Sequence, residues 1–164
     1  FSLDIAKFLE TKKVKLILVA CNTASALALD TLQKHISVPI LGVITPGAKA
    51  AIQAQNNKIF VIGTRATITS KAYEKEIKKL DKKACVKQIA CPLFVPLIEE
   101  GLANDKITKL TIEKYLAEVK KFGPCTLILG CTHYPVIKNN IAKFLPKAVL
   151  VDSAKEITKE AVIL

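Results

Sequence analysis

Apolar residues fall along this chain in two recurring patterns. Short runs of β-branched and aliphatic residues, such as those at 14–20 and 126–130, predict buried β-strands. Between such runs, apolar residues recur at helical spacing, as in the segment 22–35. Because strands and helices alternate, the sequence predicts an α/β fold of parallel sheets with helices on both faces.

The same patterns define the individual elements. Asn22 or Thr23 is predicted to cap the second helix, and Asp152 or Ser153 the last one. Strands are predicted at 14–20, 38–43, 58–62, 85–90, 126–130 and 148–151. Helices are predicted at 2–11, from the cap at 22 or 23 to about 35, from 45 onward, at about 68–80, within 92–101, from 108 or 111 to about 122, at 135–144, and after the cap at 152 or 153.

Two stretches more than a hundred residues apart share one order of features. Residues 16–21 and 127–131 each form a strand that ends in a cysteine, followed by threonine, a helix, proline and another strand. Cys21 and Cys131 therefore stand where a strand ends and a helix begins, which is where open α/β sheets bind ligands. If two lobes pack with pseudo-symmetry, the two cysteines face each other across a cleft.

Cysteines at helix N-termini favour the reactive thiolate, which three kinds of chemistry require. Acyl transfer would pair Cys131 with His133 but leaves Cys21 without a role. Disulfide exchange usually uses cysteines that are close in sequence. Proton removal from a stereocentre, with return to the opposite face, needs two acid/base groups, and two cysteines supply them directly. Cys85, Cys91 and Cys125 are interpreted as small buried hydrophobic residues.

Charge and composition narrow the function classes. Lys and Arg outnumber Asp and Glu by 25 to 14, for a net charge of +11, but Arg65 is the one arginine. The lysines are scattered and have no aromatic platform beside them, so a solvated surface is favoured over nucleic-acid binding. No apolar run reaches the length of about eighteen residues that a membrane span needs.

The number and spacing of the cysteines also indicate the cellular compartment and whether a metal site is expected. Five cysteines form an odd number and contain no C-x-x-C pair, which favours a reducing, cytoplasmic setting over a disulfide scaffold. Their spacing is not that of a zinc site, so no metal is expected. No lysine motif for pyridoxal phosphate is visible either, so the proton chemistry is expected to need no cofactor.

The two cysteine stretches resemble the two signatures of glutamate racemase. These are residues 19–25 (Val-Ala-Cys-Asn-Thr-Ala-Ser) and 129–135 (Leu-Gly-Cys-Thr-His-Tyr-Pro), and segments 39–44, 63–67 and 92–101 resemble the family too. The resemblance implies a two-lobe, pseudo-symmetric racemase fold and a cofactor-independent isomerase. Such an enzyme interconverts L- and D-glutamate, its small-molecule substrate, for peptidoglycan synthesis. The resemblance also allows a homodimer.

The resemblance also implies roles for individual residues. Cys21 would remove the α-proton of D-glutamate and Cys131 that of L-glutamate. His133 would assist Cys131, and Glu99 would be an assisting carboxylate, although the adjacent Glu100 is not excluded. The residues that would bind substrate are Asn22, Thr23, Thr64, Thr67 and Thr132. For Thr64 and Thr67, capping of the following helix is the alternative role.

This chain departs from the family pattern at its start. The family begins with a strand followed by Asp-Ser-Gly and later has a Pro-Tyr-Gly segment, and neither occurs here. We therefore expect a chain truncated at the N-terminus and before the family's usual end. Residues 1–44 would be a partial first lobe, 45–147 the second lobe and 148–164 a return segment to the first lobe.

Two alternatives to glutamate racemisation stay open at this point. One is a related racemase or isomerase, such as an aspartate racemase. Those enzymes tend to carry histidine where Ser25 stands and glutamate where His133 stands, and this chain follows the glutamate pattern at both positions. The other is a truncated, non-catalytic chain that folds and binds a partner.

Overall fold

The computed structural model describes residues 1–54 and 56–163 and contains two parallel sheets. Strands β1 (Ile17–Val19) and β2 (Ile40–Gly42) form a two-stranded sheet. The four-stranded sheet contains β3 (Lys58–Gly63), β4 (Cys85–Ala90), β5 (Cys125–Gly130) and β6 (Ala148–Asp152), in the order β4-β3-β5-β6. The predicted α/β class with parallel sheets is confirmed.

Helices connect the strands in the predicted alternation. They are α1 (Ser2–Thr11), α2 (Asn22–His35), α3 (Ile44–Gln53), α4 (Arg65–Ser70), α5 (Ala72–Leu80), α6 (Phe94–Glu99), α7 (Lys106–Phe122), α8 (Lys138–Phe144) and α9 (Ser153–Ala161), with a 3₁₀ turn at Tyr134–Ile137. Asp152 caps α9 as predicted, since its Oδ1 accepts from the Ala154 and Lys155 N–H groups.

The core of the larger sheet is organised around β5, whose six residues are all buried. Alternate side chains of this strand enter different hydrophobic clusters. Leu127 and Leu129 pack with residues of α7 and α8, whereas Ile128 packs with residues of α3 and α5. A third cluster, which includes Ile17, lies between the small sheet and helices α1 and α2. Helices therefore cover both faces of the larger sheet, as expected for a buried parallel sheet.

Four elements differ from their predicted form. The helix predicted at 68–80 is divided into α4 and α5 by Lys71, whose φ of 56° is left-handed. The helix predicted at 135–144 begins as the 3₁₀ turn, and the first two strands are shorter than predicted. Strand β6 pairs with β5 in the larger sheet, and the division of the chain into two lobes and a return segment stays a prediction. Apolar periodicity reports burial but does not report hydrogen-bond partners, so it cannot detect such breaks and pairings.

The left-handed backbone at Lys71 leads to a prediction about stability. A non-glycine residue is strained in this conformation, so we expect Lys71→Gly to raise the free energy of unfolding by about 0.5 kcal/mol, after the entropy cost of glycine. The control is Lys75→Gly within α5, which should lower it by about 1 kcal/mol. Urea unfolding measures both changes. A loss of stability in Lys71→Gly equal to that in Lys75→Gly would contradict the strain argument.

Candidate active site

Cys21 lies two residues beyond the end of β1 and is the N-cap residue of α2. Its Sγ accepts a hydrogen bond from the Ala24 N–H at 3.5 Å, and its side chain is exposed. The sequence predicted Asn22 or Thr23 as the cap. The structure differs because Asn22 is the first helical residue and its side chain is buried, which leaves the cap position to the thiol.

Cys131 directly follows β5 and is buried, with 7% of its surface exposed. Burial raises the pKa of the Cys131 thiol, and the charge of Cys21 acts in the same direction, so the two thiols lie within electrostatic range of each other. The backbone N–H groups of His133 and Tyr134 and the side chain of Thr132 oppose this rise in the pKa. The two predicted cysteines therefore lie close enough to influence each other's charge.

His133 lies between Cys131 and Glu99. Its Nδ1 is 3.9 Å from the Cys131 Sγ, and its Nε2 is 3.0 Å from the Glu99 Oε1. An ionised carboxylate only accepts hydrogen bonds, so contact with Glu99 places a hydrogen on Nε2. In neutral imidazole this leaves Nδ1 as an acceptor that faces the thiol. Glu99, rather than Glu100, is the carboxylate that the fold brings to the histidine.

Three threonine hydroxyls meet beside the N-terminus of α2. Thr23 Oγ1 is 2.9 Å from Thr64 Oγ1 and 3.1 Å from Thr67 Oγ1, and the last two are 3.1 Å apart. Thr64 also caps α4, because its Oγ1 accepts from the Thr67 N–H at 3.2 Å. The capping role and the place in the site are therefore compatible. Thr132 is exposed, and its Oγ1 lies 3.4 Å from His133 Nδ1.

Asn22 has a buried environment that its sequence position did not reveal. Its Oδ1 accepts a 2.6 Å hydrogen bond from the Tyr73 hydroxyl, and its Nδ2 donates to Ser153 Oγ at 3.2 Å. Tyr73 and Ser153 were not among the predicted site residues. No local pattern could have identified them, since they lie 51 and 131 residues from Asn22.

The remaining cysteines divide into two groups. Cys91 and Cys125 are buried, as their interpretation as small hydrophobic residues requires. Cys85 is exposed at the start of β4, so that interpretation is wrong for this residue. Strand β4 is an edge of the sheet, and its residues are less buried than the six residues of β5.

The described part of the chain contains neither a cluster of metal-ligating side chains nor a helix that could span a membrane. Among residues 1–54 and 56–163, no group of three His, Cys, Asp or Glu side chains is placed to hold a metal ion. None of the helices in that part is both long and apolar enough to span a bilayer.

Comparison with known proteins identifies the class of protein. The sequence profile of the Asp/Glu/hydantoin racemase family matches residues 2–161. The chain belongs to this family.

Individual relatives within this family are named glutamate racemases. That of Sulfurihydrogenibium is 47% identical over 161 residues, which are 97% of this chain and 62% of the relative. The crystal structure from Bacillus anthracis superposes with a TM-score of 0.94 at 39% identity, over 99% of this chain and 62% of that chain. That from Francisella tularensis, in complex with D-glutamate, has a TM-score of 0.92 at 40% identity, over 99% and 61%. The chain spans about three fifths of the length of the curated relatives it matches.

The buried thiol of Cys91 leads to a prediction about alkaline stability. Burial raises the pKa of Cys91 from 9.0 to about 12. Between these values the unfolded chain has lost this proton while the folded chain keeps it. The stability contributed by the thiol is therefore present below pH 9.0 and is lost as pH rises towards 12, at roughly 1.4 kcal/mol per pH unit.

Cys91→Ala removes this titrating group. Above pH 9.0, the free energy of unfolding of the variant should therefore fall less steeply with pH than that of the wild-type protein, by roughly 1.4 kcal/mol per pH unit. Urea unfolding at several alkaline pH values measures the slope. Parallel slopes in the wild-type protein and the variant would contradict the assignment.

Proposed function

We propose that this chain carries the two acid/base thiols of a cofactor-independent glutamate racemase, which interconverts L- and D-glutamate and supplies D-glutamate for peptidoglycan synthesis. The observation that carries the proposal is the joint placement of Cys21 and Cys131 at the ends of β1 and β5, within electrostatic range of each other. Sequence and structural similarity to glutamate racemases supports the choice of substrate.

The two thiols act on opposite faces of the α-carbon. With D-glutamate, the Cys21 thiolate takes the α-proton, and the bonding electron pair stays on carbon. The Cys131 thiol then donates its proton to the opposite face. The raised pKa of Cys131 suits this step, because the group stays protonated and available as an acid. With L-glutamate the roles are exchanged.

His133 and Glu99 allow the buried Cys131 to act as a base. Deprotonating a buried thiol is costly because the charged form loses its hydration. His133 Nδ1 faces the thiol at 3.9 Å and can take its proton, while Glu99 at 3.0 Å from Nε2 stabilises the imidazolium that results. The pair therefore produces the thiolate that removes the α-proton of L-glutamate.

The polar groups around the N-terminus of α2 hold the amino-acid end of the substrate. The hydroxyls of Thr23, Thr64 and Thr67 lie within 3.1 Å of one another and Thr132 is exposed beside Cys131. With the backbone N–H groups of the helix start, they bind the substrate carboxylate and ammonium groups. Asn22 contributes the Nδ2 hydrogen that is not bonded to Ser153. Donors at a helix N-terminus favour an anion and also the negative charge that develops as the α-proton leaves.

The proposed setting is the reducing cytoplasm. The reaction needs both Cys21 and Cys131 as free thiols, and the five cysteines are all free in the structure. The presence of a homodimer stays a prediction, which light scattering would test.

Removal of either thiol should abolish racemisation. We expect Cys21→Ala and Cys131→Ala each to lower kcat at least about a thousandfold, because each removes an acid/base group. Loss of optical rotation with L- and D-glutamate, and exchange of the α-proton in deuterium oxide, measure the reaction. The control is Cys85→Ala, whose exposed thiol lies outside the site and whose loss should leave kcat unchanged.

The same assays separate the competing functions. Full activity in both cysteine variants would refute the two-thiol mechanism. Faster turnover of aspartate than of glutamate would favour the related racemase. A wild-type protein that turns over neither amino acid would favour a non-catalytic binding chain.

The adjacent glutamates at the end of α6 provide a matched test of the proton path. We expect Glu99→Gln to lower kcat with L-glutamate about tenfold, because the imidazolium of His133 loses its carboxylate partner. Glu100→Gln makes the same chemical change one residue away and should leave kcat unchanged. Equal effects of the two substitutions would contradict the assigned path.

A further inference from the structure

Tyr73 is a fully buried phenol that contacts the candidate site through Asn22. Its side chain is 0% exposed, and its hydroxyl donates to Asn22 Oδ1 at 2.6 Å. Burial raises the pKa of Tyr73 well above its ordinary value, so the hydroxyl stays protonated and remains a donor. A buried amide oxygen without such a donor would be costly, so this bond fixes the plane of the Asn22 amide.

The hydrogen bonds continue from Asn22 to the strand that carries Cys131. Asn22 Nδ2 donates to Ser153 Oγ at 3.2 Å, and the Ser153 hydroxyl donates to the Leu129 carbonyl at 3.3 Å. Asn22 is adjacent to Cys21, and Leu129 lies two residues before Cys131. Side chains from α5, α2 and α9 therefore link the two cysteine-bearing strand ends.

Two glycines leave room for the tyrosine ring. A Cβ atom at Gly47 would lie 3.1 Å from both Cε1 and the hydroxyl of Tyr73. A Cβ atom at Gly130 would lie 3.3 Å from Tyr73 Cε2 and 2.6 Å from the Ile62 carbonyl oxygen. The ring is thus enclosed by backbone on two sides, so its hydroxyl has one well-defined direction.

The bonds of Tyr73 matter most for the Cys21 side of the site. Strand β5 is held by ladders to β3 and β6 on its two edges, so the backbone next to Cys131 is supported independently. Strand β1 pairs with β2 in the separate small sheet. The start of α2 meets the large-sheet half through the side-chain bonds of Asn22 and Thr23.

We propose that Tyr73 is a positioning residue for racemisation, which holds Asn22 and through it places the Cys21 sulfur against the α-carbon. The inference rests on the proposed function and deepens it. The substrate is not touched by the phenol. Small displacements of a reacting group can cost up to about a hundredfold in rate, so the orientation of α2 is a direct determinant of kcat.

The test compares Tyr73→Phe with Thr108→Val. The first variant keeps the ring and removes only the hydroxyl. The second also removes one buried hydroxyl, which donates to the Leu102 carbonyl at 2.7 Å in a part of α7 outside the site. Both variants lose one buried hydrogen bond, which costs about 1 kcal/mol of stability. The two variants should therefore lose a similar amount of stability. A difference in catalysis between them then reflects the positioning role of the Tyr73 hydroxyl.

Isotope effects distinguish positioning from a loss of folded enzyme, because they do not depend on enzyme concentration. In Tyr73→Phe, kcat should fall about tenfold. Proton removal by Cys21 becomes slower, so the primary isotope effect on kcat/KM should rise with α-deuterated D-glutamate. With α-deuterated L-glutamate, the primary isotope effect on kcat/KM should fall. In this direction Cys131 removes the deuterium, and the slower step is the later proton donation by Cys21. Thr108→Val should retain both wild-type isotope effects.

Unchanged isotope effects in Tyr73→Phe would overturn the positioning role. A second readout needs no racemase activity, so it still decides the inference if the wild-type protein does not racemise glutamate. This readout is the rate of Cys21 alkylation by iodoacetamide at fixed pH. We expect it to fall severalfold in Tyr73→Phe, because a loosened α2 start weakens the Ala24 N–H bond to the sulfur. Equal alkylation rates in Tyr73→Phe, Thr108→Val and the wild-type protein would refute the inference.

Discussion

The attachment of the α2 N-terminus to the four-stranded sheet is the constraint on which the site depends. Cys21 follows a strand of the small sheet and Cys131 follows a strand of the large one, so the two belong to different backbone ladders. Side-chain hydrogen bonds of Asn22 and Thr23 connect these parts. These buried polar contacts act together with the apolar packing of α2, where Ala26 lies against the cluster that contains Ile44 and Tyr73, to place the two cysteines.

The two thiols have unlike environments, and the proposed reaction uses this difference. Cys21 is exposed at a helix start, whereas Cys131 is buried beside a histidine and a carboxylate. At any moment a two-base racemisation needs one proton acceptor and one proton donor. In the proposed reaction, burial keeps Cys131 in its donor form, and His133 with Glu99 supplies a route to its basic form. Among the described residues, the assisting histidine and carboxylate therefore lie on the Cys131 side of the site.

The sequence predicted most elements, because their signals are local. Buried strands and amphipathic helices are visible in the order of apolar residues, and α1 and β4 have the predicted bounds. The sequence predictions were wrong where the conformation of a single residue departs from what the spacing of apolar residues indicates. The left-handed Lys71 divides a helix that looks continuous, and Cys21 takes the cap position because Asn22 is turned into the interior. The choice between Glu99 and Glu100 likewise needed the structure, since the direction of a side chain at a helix end depends on where the helix stops.

The sequence by itself determined the alternation of strands and helices, the two cysteines at strand ends, and the resemblance to a racemase family. Each of these is contained in short runs of residues, where spacing and residue type carry the information. The tertiary structure alone decided that Tyr73 and Ser153 hold Asn22, that three threonines from two helices meet, and that β6 joins β5. These contacts join residues that are distant along the chain. They arise only when the apolar faces of the helices are buried together and the buried polar groups must find partners.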